Sequence, residues 1–71
     1  MKTVKWISPL PTNCDICQQQ IGNEFIDGKT KQGPWGFMCP QCYEKHGVGL
    51  GTGYGQLYQK QLNGDFVKVK G

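Results

Sequence analysis

Polar and apolar positions alternate over residues 3–7, which predicts a short strand with Val4 and Trp6 on one face. Pro9 and Pro11 break it, because prolines so close together favour an extended, unpaired backbone. Glu24-Phe25-Ile26-Asp27 has the composition of a second strand. Gly28, Gly33 and Pro34 punctuate the stretch after it as turn residues. Trp35-Gly36-Phe37-Met38 then reads as the returning strand, with Trp35 and Phe37 on one face. Residues 39–46 read as a short helix. Pro40 suits its first position, where no amide donor is needed, and Lys45 and His46 suit its C-terminal end. Gly47 is expected to cap it.

Glycine then occupies every second position from 47 to 55. An extended backbone there would have one bare face and one face carrying Val48, Leu50, Thr52 and Tyr54. A bare face admits another backbone, a ring or a ligand at close range. The apolar residues set this run apart from a flexible linker, so an ordered loop is expected. It lacks the spacing of a nucleotide-binding loop. Residues 56–61 and 66–70 flank Asn63-Gly64, a strong hairpin signal. Val67 and Val69 are expected to face one way, and Phe66, Lys68 and Lys70 the other. Such a two-stranded unit needs the rest of the protein, or a partner, to be stable.

The chemistry lies in two matched pairs, Cys14-Asp15-Ile16-Cys17 and Cys39-Pro40-Gln41-Cys42, whose inner cysteines are separated by 21 residues. Each pair can turn two sulfurs onto one ion, and two pairs complete a tetrahedral shell of thiolates. Such a shell is closed to substrate water, so one structural zinc is expected rather than a catalytic metal. Iron in the same shell is the rival metal. A disulfide framework would need an oxidising compartment, and the first eleven residues lack the apolar run of a signal peptide. Bridges within each pair would close loops too small to stabilise much. A redox Cys-x-x-Cys calls for a βαβ setting that this chain is too short to supply. With 71 residues the chain is expected to be one domain, and one that needs such a staple. Its parts would be a zinc module (12–47), a glycine-rich loop (48–55) and a C-terminal hairpin (56–70).

The formal net charge is +3, and no arginine is present. Four coordinated thiolates and a divalent zinc would bring the folded form near +1. By residue count the lysine excess sits at the two ends, Lys2 and Lys5 before the first cysteine and Lys60, Lys68 and Lys70 after the glycine run. The missing arginine counts against a sequence-specific DNA reader, since arginine is the preferred bidentate reader of guanine. Lysine contacts to phosphate stay open. No segment is long and apolar enough to span a membrane, so a soluble, cytoplasmic protein is expected.

His46 follows Cys42 by one helical turn, but with four cysteines at hand it reads as a helix-end residue rather than a ligand. Trp6, Trp35, Phe37 and Tyr43 are expected to form the small core around the metal, stacking of bases being the other use for them. Tyr54, Tyr58, Lys60, Lys68 and Lys70 are the candidate basic and aromatic surface for nucleic acid or a partner. One histidine and no paired carboxylates leave nothing that reads as an enzyme, nor as a site for a small-molecule substrate.

The order knuckle, hairpin, Cys-Pro-Gln-Cys helix resembles a treble-clef or zinc-ribbon finger. The segment from Trp35 to Tyr43, with the glycine run after it, is similar to small four-cysteine zinc-finger proteins of bacteriophages, over roughly residues 12–59. That resemblance implies zinc on Cys14, Cys17, Cys39 and Cys42, and a viral protein acting in the cytoplasm of a bacterial host. It brings no activity. The GATA-type finger shares the aromatic residue ahead of the second cysteine pair, but it has a shorter spacer and arginine-rich flanks, so its DNA readout does not carry over. The chain thus reads as a small zinc-stabilised α+β recognition module with a C-terminal hairpin. Nucleic acid is the expected partner, and a host protein the alternative.

Overall fold

The computed structural model describes residues 4–7 and 9–71. Its elements are β1 (Glu24–Lys29), β2 (Trp35–Met38), α1 (Pro40–His46), β3 (Gly55–Lys60) and β4 (Phe66–Lys70). The strands form one antiparallel sheet in the order β2-β1-β3-β4. β1 and β2 are the hairpin expected between the cysteine pairs, with Ile26 opposite Met38 and Lys29 opposite Trp35. The C-terminal hairpin does not stand apart. β3 pairs with β1 along its length, so the hairpin borrows the central strand for support. Its turn uses Asn63-Gly64 as the sequence suggests, with Gly64 at a φ of 93° and the Asn63 side chain accepting from the Asp65 amide.

Of the strand expected over residues 3–7, Thr3 lies outside the described residues. The described part runs antiparallel along the free side of β4. Lys68 N–H donates to Val4 O, and Trp6 N–H donates to Phe66 O. This pairing carries Trp6 onto the sheet.

The alternation of β1 sorts the interior into two clusters, one on each face. Ile26 faces α1 and packs with Met38, Tyr43, Cys14 and the other helix-side cysteines. Phe25 faces the other way and packs with Tyr58 and Phe66, with Trp6, Ile21 and Phe37 around them. Trp6 lies edge-on to Phe25, Phe37 and Tyr58 at centroid distances of 5.2–5.4 Å, a favourable arrangement for ring quadrupoles. The expected single aromatic core around the metal is therefore corrected. Only Tyr43 is on the metal side, Trp6 and Phe37 are on the far face, and Trp35 is in neither cluster and is 50% exposed. Trp35 and Phe37 do share a face. Trp35 is at the start of an outer strand, opposite Lys29 and away from the aromatic cluster.

Asp27 lies on the aromatic face, opposite Phe37 on one side and Gln56 on the other. Burial pushes its carboxyl above the ordinary value, and burial with the Asp27 charge pushes the Tyr58 hydroxyl up in turn. A carboxylate whose folded pKa exceeds its unfolded one costs stability while it is ionised, and the cost vanishes as pH falls through the folded value. Asp27→Asn is therefore expected to raise the melting temperature at neutral pH and to change nothing in acid below the carboxylate range. Thermal unfolding at the two pH values checks this; equal or lower stability of the variant at neutral pH contradicts it.

Candidate metal centre

The first cysteine pair sits in a tight turn closed by main-chain bonds. Gln18 N–H donates to Cys14 O and Cys14 N–H donates to Gln19 O, both at 2.9 Å. Gln18 takes a left-handed conformation, φ 64°, to bring the chain back, and the Asn13 side chain holds its carbonyl. The second pair comes from the end of β2 and the start of α1, where Cys39 is the N-cap and Pro40 opens the helix as expected. Asp15 ties the two halves together. Its carboxylate accepts from Phe37 N–H and its own N–H donates to Phe37 O, both at 2.8 Å. Gly36 makes room for this contact, since a Cβ there would stand 2.8 Å from the Asp15 carboxylate.

The result is one cluster. The sulfurs of Cys14, Cys17, Cys39 and Cys42 all lie within 4.8 Å of one another, positioned to hold a metal ion. Cys17 Sγ and Cys39 Sγ are 3.9 Å apart. Sulfurs around a tetrahedral zinc, at about 2.3 Å each from the metal, sit about 3.8 Å apart. The donor set and its spacing therefore fit zinc. His46 is not part of the cluster; its carbonyl accepts from Lys31 N–H.

The four sulfurs differ in how firmly they hold their protons. Burial raises the Cys14 thiol, but hydrogen bonds from the Cys17, Cys39 and Ile16 amides and from the Cys17 thiol outweigh it and lower it to about 6. Burial, hydrogen bonds with the Cys39, Cys14 and Cys17 sulfurs, and the Cys14 charge push Cys42 up to about 12. One sulfur is poised to ionise and another holds its proton against its neighbours. A bound dication removes that conflict, because it supplies the charge that lets four thiolates coexist.

Tyr43, one residue after Cys42, has a role the sequence did not announce. Its hydroxyl lies 2.5 Å from Gly49 O and 2.9 Å from Tyr54 O, with its single proton shared between the two carbonyls. Gly28, Gly47 and Gly55 line its ring, and a Cβ at any of them would collide with it. Gly47 is thus glycine for lack of space. It caps the helix as expected, its N–H closing onto Tyr43 O, with a φ of −85°. The glycine run is an ordered loop, but it is not extended. Gly49, Gly51 and Gly53 take φ values of 122°, 141° and 83°, curling the chain around the tyrosine.

The candidate surface of Tyr54, Tyr58, Lys60, Lys68 and Lys70 is not assembled as one patch. Tyr58 is buried among the aromatics, and Tyr54 is 55% exposed in the glycine loop. A register shift in β4 sets Lys70 opposite Leu57, on the metal side, while Lys60 and Lys68 keep the other face. The strict alternation expected of residues 66–70 fails at this irregularity. Nor do Leu50, Tyr54, Leu57 and Tyr58 form one apolar patch, because Leu57 and Tyr58 point to opposite faces.

A different basic surface emerges beside the cysteine cluster, where residue counting found none. Thr30 bridges Gly47, and Lys31 N–H donates to His46 O. These contacts set the backbone of Lys31 beside His46 and that of Lys29 beside Val48, at the C-terminal end of α1, which also carries Lys45. The three lysines and His46 are exposed, with the half-exposed Trp35 and Tyr54 adjoining Lys29. Among the described residues the one ion pair is Lys5 with Asp65, so these lysines are free of salt bridges. No helix among the described residues is long and apolar enough to cross a membrane. Compared with protein-family models, curated proteins and solved structures, the chain finds no match.

Proposed function

We propose that the chain is a zinc-stabilised recognition module, of treble-clef or zinc-ribbon type, that binds nucleic acid. As its resemblance implies, it would act as a small bacteriophage protein inside a bacterial host. Zinc suits the donor set, since four thiolates in a closed shell are the usual structural zinc site. In such a centre the metal holds the knuckle, β2 and α1 together, and the protein's action falls to its surface. The observation that carries the nucleic-acid reading is that Lys29 and Lys31, at the end of β1, meet the end of α1 that carries Lys45 and His46, with the exposed Trp35 and Tyr54 adjoining Lys29. Unpaired lysines neutralise phosphates and release counterions, while arginine-free surfaces read shape and strand rather than sequence.

The test is binding of the zinc-loaded protein to labelled single- and double-stranded DNA over a salt series. Binding that weakens steeply as salt rises is expected. No binding at low salt, where charge contacts are strongest, overturns the reading. A groove of about 390 Å³ between α1 and the glycine loop favours a second reading, a protein partner. It is lined by Ile26, Pro40, Tyr43, Glu44, Val48 and Leu50, of which Val48 and Leu50 are exposed at 40% and 41%. A pull-down from host extract is the corresponding test.

A further inference from the structure

Trp35, Lys29 and Tyr54 belong to three neighbouring stretches of chain, and the sheet lines them up in one cross-strand row. Lys29 on β1 is opposite Trp35 on β2. On its other side, Lys29 N–H donates to Tyr54 O at 2.7 Å, one rung beyond the last β1–β3 pair, Gly28 with Gly55. By the alternation of side chains, Trp35 and Lys29 lie on the face that also carries Phe37 and Phe25, and the main-chain bond from Lys29 sets Tyr54 next to them, in the turn that leads into β3. That face is sealed only in part. Trp6 covers Phe25, Phe37 and Tyr58, whereas Trp35 and Tyr54 stay 50% and 55% exposed at the uncovered end. An exposed tryptophan in so small a chain is a large apolar area kept out of its core. Strands sit about 4.8 Å apart, so the two ring-bearing positions are about 10 Å from each other with a lysine between them.

We infer that the Trp35–Lys29–Tyr54 row is a stacking platform for single-stranded nucleic acid, with bases lying on the two rings and Lys29 meeting the phosphate that links them. This deepens the nucleic-acid reading above and rests on it. The chemistry favours single strands because their unstacked bases offer faces to aromatic rings, whereas a duplex hides them. Lys31, two residues beyond Lys29, continues the charge past the end of β1. Asp27, two residues before Lys29 on the same face, bounds the platform on the core side and keeps phosphate at the lysine end. Lysine in place of arginine fits a reader of backbone and base face rather than of base edges.

The experiment is fluorescence anisotropy with labelled oligothymidylate and oligouridylate about 12 nucleotides long, and the matching DNA duplex, against zinc-loaded wild type, Trp35→Ala, Trp35→Phe, Lys29→Ala and Lys60→Ala. Trp35→Ala is expected to weaken single-strand binding by roughly tenfold or more, with Trp35→Phe restoring most of it. Lys29→Ala should flatten the salt dependence by about 0.7 in log–log slope, one phosphate contact fewer. Lys60→Ala, away from the row, should bind like wild type. The thymidylate and uridylate arms tell DNA from RNA preference. If wild type binds and both Trp35→Ala and Lys29→Ala bind equally well with the wild-type salt slope, the platform is wrong and the nucleic-acid reading survives elsewhere on the surface. Wild type binding the duplex more tightly than either single strand also overturns the platform. If wild type binds none of the probes at low salt, both fall together.

Discussion

Cys39→Ser is expected to leave the chain largely unfolded, and removal of zinc by a chelator to do the same to the wild type. Cys39 joins the end of β2 to the start of α1 and closes the metal cluster with the knuckle. The helix has seven residues, too few to persist on its own in water. A structural zinc on four thiolates contributes about 10–16 kcal/mol of apparent binding energy at neutral pH, much of it folding energy. That matches or exceeds the whole net stability of a typical domain, about 5–15 kcal/mol. Far-ultraviolet circular dichroism with and without chelator measures the effect. A native spectrum for Cys39→Ser in chelator would refute it, because the metal would then not be holding the fold.

Tyr43→Ala is expected to cost about 3–5 kcal/mol, the usual loss for truncating a buried aromatic side chain. The ring is 4% exposed and touches three glycines, and its hydroxyl gathers the two ends of the glycine loop through Gly49 O and Tyr54 O. Truncation empties the cradle and releases the loop at once. Gly47→Ala attacks the same contact from the opposite side. Its methyl group meets the tyrosine ring, and overpacking of this kind costs about 1–3 kcal/mol. Both variants keep all four cysteines, so zinc stoichiometry should stay at one while the denaturation midpoint falls. An unchanged midpoint for both would mean that the loop, not the tyrosine, sets the geometry.

These two sites were not equally legible in the sequence. The cysteine pairs announce themselves because metal chemistry demands a fixed local spacing, and local spacing is what a sequence displays. The β1–β2 hairpin, the Pro40 helix start and the Asn63-Gly64 turn were readable for the same reason. What depends on tertiary contact was not. The alternating glycines suggested an extended segment with a bare face, but their spacing reflects a ring from α1 and three left-handed backbone positions. The single register shift beside Leu57 sends Lys70 to the metal side, and no residue in 66–70 signals it. The basic end was hidden by distance along the chain, since Lys31 and His46 meet only through the bridge from Thr30 to Gly47. Trp35 looked like core because tryptophan usually is. Its place at the start of an outer strand decided otherwise.

The hydrogen bonds between Asp15 and Phe37 have a consequence for self-association. A sheet's outermost strands present unpaired amides and carbonyls that recruit strands from other molecules. On one side of this sheet, the stretch from Val4 to Trp6 pairs with β4. On the other, the knuckle occupies the outward-facing groups of Phe37 with the carboxylate and the amide of Asp15. The knuckle's shape is in turn maintained by its ligands. With the proposed zinc in the cluster, metal supply would govern more than folding: a starved molecule that keeps its hairpin would bare the β2 flank as an aggregation template.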